Sequence, residues 1–182
     1  VKTIYYNKIK GINIEDEIEI AKKLADILTI DAAGTKALKD YWLVTNSNGK
    51  SLITEEEYKL LEERKLTNND ITDLKYERIT EEMLNSFSDI EKKAAHIYSL
   101  MNDGYVYSKK EILKDVSESE YAKVIESNIP GITGELSWER IYLYGDTLKN
   151  IFGSIGLIPE ERKEEYLSSG YELTDTVGLS YL

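Results

Sequence analysis

Short helices with clearly marked starts dominate the middle of this sequence. A Ser or Thr followed three residues later by Glu is typical of a helix N-terminus, because each side chain accepts a hydrogen bond from the other residue's backbone N–H. Thr54 with Glu57, and Ser88 with Glu91, follow this pattern. Single polar residues before other helical segments predict further starts, at Asn13, Thr35, Ser108 and Ser117. Because several of these segments carry few apolar residues, we expect them to enclose only a thin core.

Strand-like segments flank this helical middle. Residues 1–6, VKTIYY, are β-branched and aromatic and predict a short strand. After a turn at Pro130 and Gly131, apolar or aromatic residues alternate with polar ones, which predicts a long strand that continues to about residue 144. Two short helices are then predicted, over residues 146–156 and 158–170.

The order of these elements predicts an α+β fold. We expect the strands from the N-terminal and C-terminal parts of the chain to form one small sheet, with the helices inserted between them and an elongated shape. The predicted organisation is a strand plus a helix over residues 1–30, a helical insertion over 31–128, and a strand with a junction segment over 129–182.

Composition excludes several classes of function. The formal net charge of −11 disfavours nucleic acid and anionic membrane surfaces as partners. The absence of Cys removes disulfides, zinc–thiolate sites and cysteine nucleophiles together. No stretch approaches the roughly 20 apolar residues of a membrane span. We expect that both ends of the sequence are boundaries within a longer protein.

No group of residues predicts catalysis, a metal site or a cofactor. His96 is the one histidine and is interpreted as structural or surface-exposed. Ser47 and Lys50 have the Ser-x-x-Lys spacing of an acylated serine, but the intervening Asn-Gly favours a turn, which would not keep both side chains on one helical face. Paired glutamates in charged helices usually form a solvated face. The 14 tyrosines fit half-exposed packing positions as well as a glycan-binding surface.

The last third of the sequence resembles the non-catalytic N-terminal region of class B penicillin-binding proteins of the low-GC Gram-positive type. In that family a Pro-Gly turn leads to an Arg-x-Tyr-Pro-Tyr-Gly strand, then to Gly-x-x-Gly, and then to a Gly-Tyr…Asp-x-Val-Gly-x-Ser-Gly-Leu segment. The matching positions are Pro130, Gly131, Arg140, Tyr142, Tyr144, Gly145, Gly153, Gly156, Gly170, Tyr171, Asp175, Val177, Gly178, Ser180 and Leu182. Leu143 and Tyr181 depart from the pattern.

The resemblance implies a dimerisation or pedestal domain of a membrane-anchored D,D-transpeptidase, held on the extracytoplasmic face of the membrane by an anchor outside this sequence. The implied partners are the transpeptidase domain in cis, a multi-spanning glycan polymerase and other cell-wall synthesis proteins. Seven of the matching residues are expected to be structural residues of the junction: Arg140, Tyr142, Gly145, Gly153, Gly156, Asp175 and Gly178. Within it, we expect an ion pair between Arg140 and Asp175.

Two other interpretations remain open at this point. The chain could be an autonomous extracytoplasmic module whose Tyr- and Trp-bearing strand grips glycan or peptide. A catalytic role with Ser47 as nucleophile is a distant third.

Overall fold

The computed structural model describes residues 1–138 and 155–179. It consists of two compact units, Val1–Ser137 and Trp138–Leu182. The first unit contains three strands, β1 (Lys2–Tyr6), β2 (Lys110–Leu113) and β3 (Ile132–Leu136). Its helices are α1 (Ile14–Ile27), α2 (Thr35–Thr45), α3 (Glu55–Glu62), α4 (Asn68–Arg78), α5 (Glu81–Asn85), α6 (Asp89–Met101) and α7 (Glu118–Glu126), with a 3₁₀ segment at Ser47–Leu52.

The three strands form an antiparallel sheet in the order β2-β1-β3. β1 pairs with β3 in unbroken register from Lys2 opposite Leu136 to Tyr6 opposite Ile132. The pairing of β1 with β2 has an irregularity between Ile4 and Tyr5. The sequence prediction that an early and a late strand share one α+β sheet is therefore confirmed within the described residues.

The core of this unit lies between the sheet and helices α1, α6 and α7, and Tyr41 of α2 is fully buried in the same cluster. Ile4 and Tyr6 are fully buried and pack with residues of α1, α6 and α7, including Leu24, Ile97 and Val124. Helix α7 lies close to β3 at Gly134. A Cβ placed on this glycine would come within 2.7 Å of the ring of Tyr121 in α7. Glycine at this position is what lets the helix approach the strand.

The outer helices pack around a much smaller core. Leu43, Ile79 and Leu84 form a separate buried cluster, while α3 buries no residue fully and α4 buries only Ile71. This arrangement matches the predicted thin core among the charged helices.

Most predicted helix starts are confirmed. Asn13, Thr54, Ser88 and Ser117 are N-cap residues, and each takes part in a reciprocal capping box. The prediction for Thr35 is wrong by one residue, since Gly34 is the N-cap of α2 and supplies no side-chain cap.

The helix predicted to start at Ser108 does not form, and strand β2 occupies Lys110–Leu113 instead. Lys110 and Ile112 are buried while Glu111 is exposed, which is the alternation of β2 beside β1. Ser108 caps no helix, and its backbone N–H closes a turn onto the carbonyl oxygen of Tyr105 at 3.1 Å. Pairing with a buried strand has overridden the local preference of this segment.

Candidate functional site

A small hairpin-like sheet organises the described part of the second unit. Strand β4 (Ile155–Leu157) pairs antiparallel with β5 (Thr176–Gly178), so that Gly156 lies opposite Val177 and Ile155 opposite Gly178. The sheet therefore brings together Gly156 and Gly178, two of the predicted junction residues. A Cβ at Gly156 would lie 2.7 Å from a methyl group of Leu179, so the Leu179 side chain packs over this glycine.

The segment between these strands is a short helical turn held by ring and ion contacts. A 3₁₀ segment at Glu160–Arg162 leads into α8 (Lys163–Ser168). The Arg162 guanidinium pairs with Glu165 at 3.0 Å and lies 4.9 Å from the Tyr166 ring centre. Hydrogen bonding to Arg162 lowers the pKa of Glu165. Tyr166 packs edge-on against Tyr171, with ring centres 5.3 Å apart.

Asp175 closes the turn that leads into β5. Its Oδ2 accepts a hydrogen bond from the backbone N–H of Glu172 at 2.8 Å, and its own N–H donates to the Glu172 carbonyl oxygen at 3.0 Å. Arg140, Tyr142, Gly145 and Gly153 lie outside the described residues, so the expected Arg140–Asp175 ion pair stays a prediction. The helix predicted over 146–156 lies mostly outside them too, and its last two residues belong to β4 instead.

This unit leaves a large share of its apolar side chains in solvent. Val177 is its one buried hydrophobic residue among those the structure describes. Leu157 is 64% exposed and Leu173 is 55% exposed. Leu167, Tyr171 and Leu179 are also exposed. Several apolar side chains so close in sequence and so poorly covered are typical of a surface that meets another protein surface.

The two candidate chemical sites of the first unit, Ser47 with Lys50 and His96, lie in positions with a structural role. Ser47, Asn48 and Gly49 all have positive φ values, of 51°, 56° and 66°, so Ser47 and Lys50 do not share a helical face, in line with the predicted turn. Nδ1 of His96 lies 2.8 Å from the carbonyl oxygen of Asp31 and joins α6 to the loop after α1. In residues 1–138 and 155–179, no group of acidic or histidine side chains is arranged to hold a metal ion.

Sequence reasoning missed a buried polar cluster beneath the sheet. The Glu17 carboxylate is 1% exposed, accepts a hydrogen bond from the Tyr6 hydroxyl at 2.9 Å and pairs with Lys8 at 3.0 Å. Burial, followed by this hydrogen bond, raises the pKa of Tyr6. Helical spacing could have predicted the burial of Glu17, because this residue lies on the same helical face as the apolar Ile20 and Leu24.

A second missed residue is Lys110, which is only 7% exposed. Its ammonium group donates to the carbonyl oxygens of Asp103 and Tyr105 and to the Ser108 hydroxyl, all within the loop before β2. This lysine thus fixes a surface loop from below.

The fold combines a three-stranded sheet packed by helices with a small hairpin whose leucines are exposed to solvent. All 182 residues match the family of the penicillin-binding protein dimerisation domain, and the chain belongs to that family. The resemblance predicted from the last third of the sequence is confirmed.

Several relatives match the chain over its full length. It is 33% identical to penicillin-binding protein 2A of Bacillus subtilis, of which it covers 27%, and 28% identical to penicillin-binding protein H of the same organism, of which it covers 30%. The structure of penicillin-binding protein 2B from Streptococcus pneumoniae strain R6 aligns with a TM-score of 0.63 at 26% identity, over all of this chain and 29% of that one. The chain therefore spans under a third of the length of these relatives. No helix within the described ranges is both long enough and apolar enough to cross a bilayer.

Proposed function

We propose that this chain is the pedestal of a membrane-anchored peptidoglycan transpeptidase. In this role it performs no chemistry, holds the catalytic domain at a fixed position on the extracytoplasmic side of the membrane, and contacts other proteins of cell-wall synthesis, among them a glycan polymerase. The domain family and the partial coverage of longer penicillin-binding proteins support this proposal.

One structural observation carries the proposal. Leu157, Leu173 and Leu179 of the β4–β5 unit are exposed, while Val177 alone of its described hydrophobic residues is buried. The energetic reason for covering them is the hydrophobic effect, at roughly 25 cal/mol per Å² of apolar surface removed from water. We propose that the transpeptidase domain in cis covers this surface, and that residues 129–182 form the junction to it.

Hydrogen–deuterium exchange tests this proposal. The 182-residue chain and a longer polypeptide that continues into the next domain of the parent protein are compared. We expect amides within residues 155–179 to exchange fast in the shorter chain and more slowly, by at least about tenfold, in the longer one, because docking raises the free energy of local opening. Equal exchange in both polypeptides would contradict the proposal.

A pair of variants sharpens the test. In the longer polypeptide, Leu157→Glu together with Leu173→Glu should restore fast exchange, since two charges would face an apolar contact. The control is Leu136→Glu, in the first unit, where the side chain is 71% exposed. This control should leave exchange in residues 155–179 unchanged.

A further inference from the structure

Strand β2 is an edge strand of the described sheet. It pairs with β1 on one side only, in the order β2-β1-β3. In an antiparallel edge strand, alternate residues direct their N–H and C=O groups away from the sheet. Glu111, in the middle of β2, is exposed and lies opposite Tyr5 of β1. Among residues 1–138 and 155–179 no strand pairs with the other side of β2, so that side is able to pair with one more extended chain.

An open groove of about 360 Å³ lies beside the start of this edge. Leu100, near the end of α6, lines one part of it, and Asp103 and Tyr105 of the following loop line another. Lys109 and Glu111 line the part formed by the start of β2. A groove between a helix end and an edge strand is the geometry in which domains add a peptide strand to their own sheet.

The loop that borders the groove is hydrogen-bonded to Lys110 and presents exposed apolar and aromatic side chains. Lys110 binds the loop from below through two backbone carbonyl oxygens and one hydroxyl. Above it, Tyr105 is 88% exposed, Val106 58% and Tyr107 77%. Tyrosine is enriched among the residues that dominate protein–protein binding energy. A loop that is already ordered loses little entropy on binding, which favours its use as a contact surface.

Two carboxylates, of Asp103 and Glu111, and two ammonium groups, of Lys109 and Lys110, line the groove. The Lys109 ammonium pairs with Glu135 and lies 4.0 Å from the centre of the Tyr5 ring. Lys110 donates only to neutral oxygens of the loop, so its charge offsets one carboxylate and leaves the groove with one net negative charge. The carboxylates of Asp103 and Glu111 have no ion-pair partner among the residues the structure describes. The net charge of −11 also attracts cationic partners at long range.

We propose that β2 and this groove bind an extended, lysine- or arginine-containing segment of a partner protein, which adds a fourth strand to the sheet. Its backbone pairs with β2, its basic side chain meets Asp103 and Glu111, and an apolar side chain packs on Tyr105. The inference deepens the proposed pedestal function, on which its biological meaning rests, by naming one partner-binding surface and the chemistry of its ligand.

Selection from a phage-displayed library of random dodecapeptides, with the 182-residue chain as target, tests the proposal. We expect enriched peptides that combine Lys or Arg with β-branched residues and lack Pro. In solution, the best peptide should shift the NMR amide signals of residues 109–113 and slow their exchange. A version with Pro at alternate positions should bind at least about tenfold more weakly, because Pro cannot donate to the strand pairing.

Variants of the chain locate the site. Glu111→Lys and Tyr105→Ala should each weaken binding by about tenfold, through charge repulsion and loss of an aromatic contact. Glu62→Lys, an exposed position at the end of α3, makes the same charge change as Glu111→Lys and should leave affinity unchanged.

Three outcomes would overturn the proposal: no enrichment, peptides that bind all variants equally, or shifts outside β2 and its loop. Binding of phosphatidylglycerol vesicles or N-acetylglucosamine oligomers at Tyr105 in place of peptides would also overturn it. Failure here would leave the exchange result for residues 155–179 untouched, so the two proposals can fail separately.

Discussion

At the scale of single residues, the least ordinary feature is the carboxylate buried under the sheet. Glu17 is 1% exposed and satisfied by the Tyr6 hydroxyl and the Lys8 ammonium. Removing one member of such a group leaves the others buried without partners, and that penalty usually exceeds the net value of the interaction itself. The cluster also joins β1 to α1, which are the first two elements of the core.

We predict that Glu17→Ala destabilises the chain by about 3 kcal/mol. The loss comes from the unpaired Tyr6 hydroxyl, the unpaired Lys8 and the space left in the core. Urea unfolding followed by circular dichroism gives the free energy. Glu19→Ala is the matched control in the same helix, because its exposed pair with Lys23 spans 3.9 Å and should contribute under about 0.5 kcal/mol. Equal losses of unfolding free energy in Glu17→Ala and Glu19→Ala would show that the buried cluster stabilises the chain no more than an exposed ion pair does.

At the scale of elements, a single arginine connects α3, which buries no residue fully, to α4, which buries only Ile71. Arg78, at the end of α4, forms two hydrogen bonds of 2.6 and 2.7 Å with the Glu57 carboxylate at the start of α3. It also donates to the Leu52 carbonyl oxygen at 2.7 Å. The hydrogen bonds from Arg78, and then from the Thr54 backbone, lower the pKa of Glu57 from 4.5 to about 2.

This shift predicts the pH range in which the contact matters. A carboxylate with a lowered folded-state pKa stabilises the fold above its unfolded-state pKa, and the contribution is lost as the pH falls through the folded-state value. We therefore expect wild type to be more stable than Glu57→Gln at pH 6, with the difference shrinking between about pH 4.5 and pH 2. Urea midpoints at several pH values in this range measure the difference.

The other acidic groups of the chain are the same in both proteins, so their contributions to the pH dependence of stability cancel in the difference between variant and wild type. Glu55→Gln, in the same helical turn, is the control, and its difference from wild type should be small at every pH. A Glu57→Gln difference that stays constant from pH 6 to pH 2 would contradict the assigned role of Arg78.

The elements also show where sequence reasoning succeeds. The starts of α1, α3, α6 and α7 were predictable because a capping box is a local interaction between residues three apart. Strand β2 was not, since its strand state depends on β1, which lies about 100 residues earlier in the chain. Lys110 is a case of the same kind: its burial follows from strand pairing and from a loop that local sequence does not describe.

At the scale of the whole molecule, family resemblance and physical pattern contributed different information. The motif from Pro130 onward predicted the family. Two of the expected junction residues, Gly156 and Gly178, lie in one small sheet, and their role at a junction stays a prediction. The exposure of the leucines beside them could not be predicted from sequence, because the local sequence around a leucine in a short strand or turn does not show whether its side chain is buried or exposed. Exposure is a property of the folded unit, and it is the observation from which we propose that another domain covers these leucines.

The last prediction concerns the ion pair expected at the junction. Asp175 already uses Oδ2 to hold the turn before β5, whereas Arg140 lies outside the described residues. We expect the Arg140 guanidinium to bind the same carboxylate. Arg140→Ala should then destabilise the second unit by about 1 kcal/mol, as measured by hydrogen exchange in residues 155–179 and by thermal unfolding. A double-mutant cycle with Asp175→Asn isolates the pair, and its coupling energy should be about 0.5–1 kcal/mol. Unchanged stability in Arg140→Ala, or a coupling energy of zero, would remove the ion pair from the junction and leave the β4–β5 pairing as its main support.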